Sequence, residues 1–584
     1  MRADMEYIVF AAVLLLFILL IMIKGYFDSR REQKKFIEKL HERYGMPPER
    51  EYEPGELEEH ISMYYKKHAQ EHQIDDITWY DLNLDEIYRK MNYSHSSAGD
   101  EYLYYRLRTP LQTEEELNHM ERHIRYFMEH EEERVSLQRH FSGLGRMRKY
   151  SLYEYLEFLD TLGRRNSIRY YLAIALVAVG IGSMFYYSVA VGICVLLIVL
   201  CRNMIFYYKE QKEIEPYLTS FRYIIRLLES AEEIGKVPGG EIAEEREALL
   251  ACCRTMEGFR KNSFIVLSGS GGPGSSGSNP LEIFFDYVRM IFYLDLIKFN
   301  KMLRLLQSHQ SEIDRMVTLI GELETAVVIG EFRTSRNGDY CVPDFLSKED
   351  HRAYLKMEQL YHPLLSEPVK NDIEVDRGVL LTGSNASGKS TFLRAAALNA
   401  VLAQTIHTCM AASYRGSLFH IYSSMSLQDD LESGDSYYMV EVKSIRRILE
   451  QVREAEKEEK YVLCFVDEVL RGTNTVERIA ASTQILKALA GDGAICFAAT
   501  HDLELTKLLD GIYDNYHFEE EIAEEDIFFP YRLIQGPAVS RNAIALLKVL
   551  GYEEGLVRDA EAMADAFLHT GKWLLDDTTE SVIQ

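Results

Sequence analysis

No C-x-x-C pair occurs among the eight cysteines, which stand at positions 194, 201, 252, 253, 341, 409, 464 and 496. The usual cysteine zinc and dithiol signatures are therefore excluded. Several of these thiols fall in apolar runs, so they read as reduced, buried groups of a cytosol-facing protein. Basic charge is short as well. Lys and Arg number 65 against 91 Asp and Glu, a formal net charge of −26. That balance works against a surface built to grip a phosphate backbone, although it leaves room for a local basic patch. The acid gathers in stretches such as 454–460 and 519–525, which read as solvated faces. Internal repeats are lacking too. What the chain does have is length and apolar content: 584 residues, 47% of them hydrophobic, suffice for several packed domains.

The most informative stretch is LTGSNASGKST, residues 381–391. An apolar run leads into it and a helical run leaves it. Gly383, Gly388, Lys389 and Ser390 satisfy G-x-x-x-x-G-K-[ST]. In such a loop the glycines let the backbone of Ser384, Asn385, Ala386 and Ser387 turn its N–H groups inward around phosphate oxygens. The helix that begins near Thr391 adds a positive dipole end. Lys389 is expected on the β- and γ-phosphates and the Ser390 hydroxyl on Mg²⁺. ATP and Mg²⁺ are thus the implied ligands.

Two later strands carry further chemistry. The run 461–466 is apolar and ends in Asp467-Glu468. Asp467 is placed to hold Mg²⁺, and Glu468 to orient the attacking water, because phosphoryl transfer is mostly positioning and charge stabilisation. The run 494–500 ends at His501, where an imidazole can sense the γ-phosphate. Between them, a small Ser/Gly turn opens an amphipathic helix at Ser436, which can cap that helix or bind a phosphate from outside. From residue 378 onward short apolar strands alternate with helices, the pattern of a parallel α/β domain.

Upstream the chain is helical, with two membrane-like features. Residues 7–23 carry no charge, and Lys24, Arg30, Arg31, Lys34 and Lys35 follow. This reads as an uncleaved anchor with the rest of the chain on the cytoplasmic side. Residues 171–201 are again uncharged, interrupted near Gly180–Ser188 and flanked by Arg or Lys on both sides. Positive flanks at both ends favour a hairpin of two short helices over a single span. Residues 33–67 and 203–264 read as amphipathic helix, and 268–280 as a flexible Gly/Ser loop. Ser96–Gly99 reads as a turn opening a helix that Thr109-Pro110 closes, with His95 as a turn or packing residue. The expected organisation is an anchor at 1–28, a helical region at 29–168 and a membrane hairpin or single span at 169–205. A helical lever at 206–340, an ATPase domain at 341–550, and a C-terminal helix and tail at 551–584 follow.

TGSNASGKST (382–391), DDLESGDSYYMVEV (429–442), VDEVLRGTNT (466–475) and AATHDLEL (498–505), in that order and spacing, resemble the ATPase domain of the MutS family of DNA mismatch-repair proteins. His362-Pro363 and Asn371-Asp372 also stand where that family has such pairs near the nucleotide base. The likeness is strong over about 354–505 and weaker from 92 to 110. It implies an ABC-type P-loop ATPase domain preceded by a long α-helical core and lever, here with N-terminal and internal transmembrane helices. It further implies a homodimer with two composite sites, in which Ser436 reaches the γ-phosphate held by the other subunit and Asn474 lies at the seam. Ser436-Tyr437-Tyr438 departs from the family's Ser-Thr-Phe, and Glu477-Arg478 from its Asp-Gly. The sequence leaves no room for an N-terminal mismatch-reading domain, and no nuclease domain is expected after 550. Two readings follow: a multi-pass membrane ATPase that still clamps DNA, and a membrane-tethered mechanochemical ATPase acting on envelope partners. A basic group at Arg139, Arg146, Arg148 and Lys149 would serve the first.

Overall fold

The computed structural model describes residues 20–573, apart from 21–22, 26, 29, 148–149, 164, 262–287, 289, 347–352, 385–386, 426–436, 472, 492, 523–526, 539–543, 545–546, 548–550 and 571–572. The anchor read at 7–23 and the loop at 268–280 lie almost wholly outside these residues. The chain divides into two compact units. One comprises Met1–Ala69, Lys90–Tyr105 and His119–Ser335; the other comprises Gln70–Arg89, Arg106–Asn118 and Arg336–Gln584. The second unit takes in 70–89 and 106–118 as well as the chain from Arg336, which periodicity alone did not reveal.

The first unit is helical. Its main elements are α1 (Ser97–Arg108), α2 (Glu114–Glu129), α3 (Glu131–Leu144), α4 (Leu152–Thr161), α5 (Ile168–Tyr186), α6 (Val189–Ile214), α7 (Leu218–Lys236), α8 (Ala243–Thr255), α9 (Leu294–Ser308) and α10 (Gln310–Ser335). Local chemistry sets several of their ends. Ser151 and Glu154 form a reciprocal capping box at the start of α4, and Gly145, at φ +67°, closes α3. Where 33–67 read as one helix, Met46-Pro47-Pro48 and Pro54 break it, because proline removes an N–H and clashes with the preceding turn. Apolar faces meet in a core where Phe221 packs on Phe259 and Phe299, with ring centroids 5.6 and 4.9 Å apart. Buried ion pairs fix register within it. Arg333 of α10 grips Glu121 of α2 through two bonds of 2.9 and 2.7 Å. Arg146, read above as part of a basic patch, instead pairs with the buried Asp100 at 2.9 Å.

The run expected to form a hairpin is two helices, α5 and α6, joined through Tyr187, with Ser188 capping α6 by accepting from the Val191 N–H at 3.3 Å. They pack closely at small residues. A Cβ on Gly192 would collide with Met184 of the facing helix. Their outer faces are apolar and exposed, with Val179 63%, Phe185 89% and Ile198 70% accessible. Both helices are long and apolar enough to cross a membrane. Cys194 and Cys201 lie on this outer surface and are exposed, which corrects the reading of all the thiols as buried; Cys252, Cys409, Cys464 and Cys496 are buried.

The second unit is built on a six-stranded sheet of order β12-β9-β4-β8-β7-β6, using β4 (Gly378–Thr382), β6 (Phe419–Ser424), β7 (Tyr461–Asp467), β8 (Ala494–Ala499), β9 (Tyr513–His517) and β12 (Ile534–Gln535). All pairs are parallel except β12 with β9. Its central strands β4, β7 and β8 are near-continuous apolar runs, as strands covered on both faces require. On one side Val462, Cys464, Val466, Cys496 and Ala498 pack against Ile445, Ile448 and Val452 of α12 (Tyr437–Glu458) and Leu486 and Leu489 of α13 (Thr475–Leu489). The largely buried α11 (Lys389–Ile406) follows β4. A smaller sheet, β1 (Asp344–Phe345), β5 (Ser413–Gly416), β2 (Leu355–Leu360) and β3 (Asn371–Val375), precedes it. The added segment 70–89 is stitched in by Asp81, which accepts bonds from Ser423 Oγ at 2.7 Å and the Met425 N–H at 2.9 Å. The C-terminal helix α14 spans Glu554–Thr570.

Candidate functional site

In an open parallel sheet, loops at the carboxyl ends of the strands converge on a crevice. Here β4, β7 and β8 deliver 383–390, Asp467-Glu468 and Thr500-His501 to that edge. Val466 and Asp467 stand opposite Ala498 and Ala499, and Leu380 and Leu381 opposite the same two residues, so the three strand ends are level.

The loop after β4 needs its glycines. Gly383 has φ +142°, and a Cβ there would sit 2.5 Å from the Phe518 carbonyl oxygen. Gly388 has φ +109°, with Tyr531 3.0 Å from where a Cβ would stand. Ser387 Oγ donates to the Ser384 carbonyl at 2.8 Å, closing the turn. Lys389, 5% exposed, curls back and donates to the Gly383 and Ser384 carbonyls, both at 2.8 Å. Burial pushes its ammonium pKa down, against the pull of Asp467, Glu468 and Glu520. Asn385, Ala386 and Ser436 lie outside the described residues.

Asp467 accepts a hydrogen bond from Ser390, and burial raises its pKa, with the Glu468 charge acting in the same direction. A hydroxyl beside a carboxylate is a hard oxygen donor set of the kind Mg²⁺ takes, so these residues fit that ion. Glu468 is held differently. Its backbone is left-handed, φ +59°, uncommon for a residue with a side chain. Its N–H donates to the Ala499 carbonyl at 3.0 Å. One carboxylate oxygen lies 2.8 Å from His501 Nε2 and the other 2.7 Å from Arg471 Nε. The His501 bond, foremost, draws the Glu468 pKa below the usual carboxylate range.

A cavity of about 480 Å³ opens beside this edge, lined by Ser384, Gly388, Lys389, Ser390, Thr391 and Glu468 on one side and by Tyr361, His362, Phe392, Phe518 and Tyr531 on the other. Such a volume, with phosphate-type donors on one side and aromatic rings on the other, suits a nucleotide. His362 is thus brought to the cavity, with Nδ1 accepting from the Leu364 N–H at 3.3 Å. Asn371 braces the far wall through the Tyr531 carbonyl at 3.0 Å and the Leu533 N–H at 2.7 Å. Asn474 caps α13, accepting from the Val476 N–H at 3.0 Å.

Residues 379–568, which carry all of this edge, match the family model of MutS domain V. Over that segment the chain is similar to MutS. DNA mismatch repair protein MutS of Thermus thermophilus is 30% identical over 270 residues, covering 45% of this chain and 32% of that one. MutS of Thermus aquaticus is 33% identical over 227 residues, with 38% and 27% covered. MutS of Lactobacillus delbrueckii subsp. bulgaricus is 28% identical over 278 residues, with 45% and 31% covered. The chain spans about a third of the length of these curated relatives.

In this MutS-type domain several residues escaped the sequence reading. Arg471 stood unremarked inside the quoted VDEVLRGTNT. Glu520 fell in an acidic run taken for a solvated face, yet it is 8% exposed and accepts from Ser384 Oγ at 2.8 Å. Arg478, noted only as a departure from the family, clamps Asp502 through two bonds of 2.8 and 2.6 Å beside His501. Glu441, on α12, accepts from the Arg471 N–H at 3.3 Å and so reaches the loop after Glu468.

Proposed function

We propose that the chain is a membrane-tethered, MutS-like ATP hydrolase that works as a homodimer with composite sites. The observation that carries hydrolysis is the Glu468 carboxylate, held on a left-handed backbone between His501 and Arg471 and lining the same cavity as Lys389 and Ser390. The loop N–H groups of residues 383–391 bind the polyphosphate, and Lys389 leaves the Gly383 and Ser384 carbonyls to meet its charge. Ser390 and Asp467 hold Mg²⁺, which supplies charge neutralisation at the phosphate oxygens. Glu468, ionised, orients a water and accepts its proton, while His501 keeps the carboxylate aimed. His362 and its aromatic neighbours take the base. Ser436 of one subunit completes the site of the other.

Tethering rests on the exposed apolar faces of α5 and α6, which a soluble core helix would bury. The ATPase domain then lies on the cytoplasmic side. DNA is the first partner to test, because the relatives are named for mismatch repair. The acidic charge favours a second reading, in which closure of the dimer drives envelope proteins instead. The deciding experiment uses detergent-solubilised full-length protein with homoduplex, mismatched and branched DNA, in ATP, ADP or no nucleotide, at near-physiological salt. Wild type hydrolyses ATP and Lys389→Ala does not. Sub-micromolar, nucleotide-dependent DNA binding with faster turnover supports a DNA clamp; an active preparation that ignores DNA supports the envelope reading. Equal hydrolysis by Lys389→Ala would overturn both.

A further inference from the structure

A second constellation lies in the helical unit and plays no part in the nucleotide chemistry. α2 carries His119 and His123, four residues apart and therefore on one face. Their rings meet edge to face with centroids 4.5 Å apart. Both direct Nε2 at a single oxygen of Glu245, in the first turn of α8, at 3.5 Å for His119 and 3.4 Å for His123. Glu322 of α10 approaches from the third side, 3.9 Å from His119 Nδ1. Ligand atoms of His119, His123 and Glu322 all fall within 4.8 Å of one another.

We propose that His119, His123 and Glu322, with Glu245 beside the two imidazoles, form a binding site for a divalent transition-metal ion of the zinc class. Three observations support it. First, the nitrogen–oxygen gaps are longer than an N–H···O hydrogen bond, whose usual length is about 2.9–3.0 Å. The two gaps to Glu245, 3.5 and 3.4 Å, are close to the edge of a tetrahedron of donors about 2.0–2.1 Å from a central ion, about 3.3–3.4 Å, and the 3.9 Å gap to Glu322 is longer. Second, two of the four groups are buried: His123 is 2% and Glu245 6% exposed. Third, the other Glu245 oxygen, Oε2, is buried and makes no hydrogen bond. A buried carboxylate with an unmet oxygen is costly, and an ion that takes both carboxylate oxygens meets that need. Two imidazoles with carboxylates form a mixed nitrogen and oxygen set, which suits zinc-class ions over Mg²⁺ or Ca²⁺. The i, i+4 histidine pair was legible in the sequence; its carboxylates come from segments more than a hundred residues away and were not.

The ion would tie α2, α8 and α10 together and stabilise the helical unit by binding only its folded form. The test uses detergent-solubilised full-length protein stripped with chelator and without nucleotide. It is titrated with Zn²⁺ alone by calorimetry and with Co²⁺ as an optical probe. The expected result is one tight equivalent per chain, a rise in melting temperature, and the intense visible bands of tetrahedral Co²⁺. Glu245→Gln weakens binding ten- to a hundredfold, and the double variant His119→Gln, His123→Gln abolishes it. His119 is the more exposed of the two rings, so His119→Gln alone serves if the double variant does not fold, which circular dichroism decides. Absence of binding by wild type, or equal binding by folded His119→Gln, overturns the proposal.

Discussion

Glu468 and Gly383 show at the residue scale how geometry and chemistry are joined. The left-handed backbone at Glu468 costs of order 1–3 kcal/mol, offset by its N–H bond to Ala499 and by the side-chain pair with His501. The His501 bond is the foremost reason the Glu468 pKa is depressed. A general base must be ionised, so its pKa sets the acid limb of the rate profile. His501→Ala removes that bond and lets the pKa rise. The acid limb of the ATPase pH profile then moves to higher pH; a limb that stays put would separate His501 from Glu468. Gly383→Ala drives a Cβ to 2.5 Å from the Phe518 carbonyl at a φ that side chains rarely adopt. Nucleotide binding measured by fluorescent analogue titration falls at least tenfold, while the melting temperature of the helical unit stays unchanged.

At the scale of elements, α10 carries two buried acids whose environment sets a pH dependence. Burial raises the pKa of Glu324 to about 7, and that of Glu331 likewise to about 7. Glu324 accepts bonds from Ser96 and from the His95 N–H at the start of α1, which satisfy but do not neutralise it. A group with a raised folded pKa binds its proton more tightly when folded. Its stabilisation is whole below the unfolded value near 4.5 and is lost as pH rises through about 7. Denaturant titrations between pH 4.5 and 7 therefore lose up to about 1.4 kcal/mol per pH unit for each acid, and level off above pH 7. Glu331→Gln flattens the curve; an unchanged slope in that variant would contradict the assignment. The elements themselves were partly legible. Ser96–Gly99 and Thr109-Pro110 announced α1, and the uncharged run announced α5 and α6, because turn chemistry and hydropathy are local. The break at Pro47-Pro48 was readable but missed. The transfer of 70–89 to the second unit was not readable, since it rests on Asp81 meeting Ser423 more than three hundred residues later.

Taken as a molecule, the chain joins a MutS-type ATPase unit to a helical unit with an apolar hairpin. The Walker residues stood out in the sequence because phosphate chemistry demands fixed residue types at fixed spacing. Arg471, Glu520 and Arg478 did not, because a charge in sequence looks alike whether solvated or paired. Of the basic group read for DNA, Arg148 and Lys149 lie outside the described residues, and Arg146 pairs with Asp100. The central claim is that Glu468 converts bound ATP into hydrolysed ATP. It is tested most directly by comparing Glu468→Gln with wild type in the same two assays, equilibrium MgATP binding and single-turnover hydrolysis. The account predicts binding within about twofold of wild type and a hydrolysis rate lower by about 10² or more. Hydrolysis at the wild-type rate, with binding intact, would contradict it.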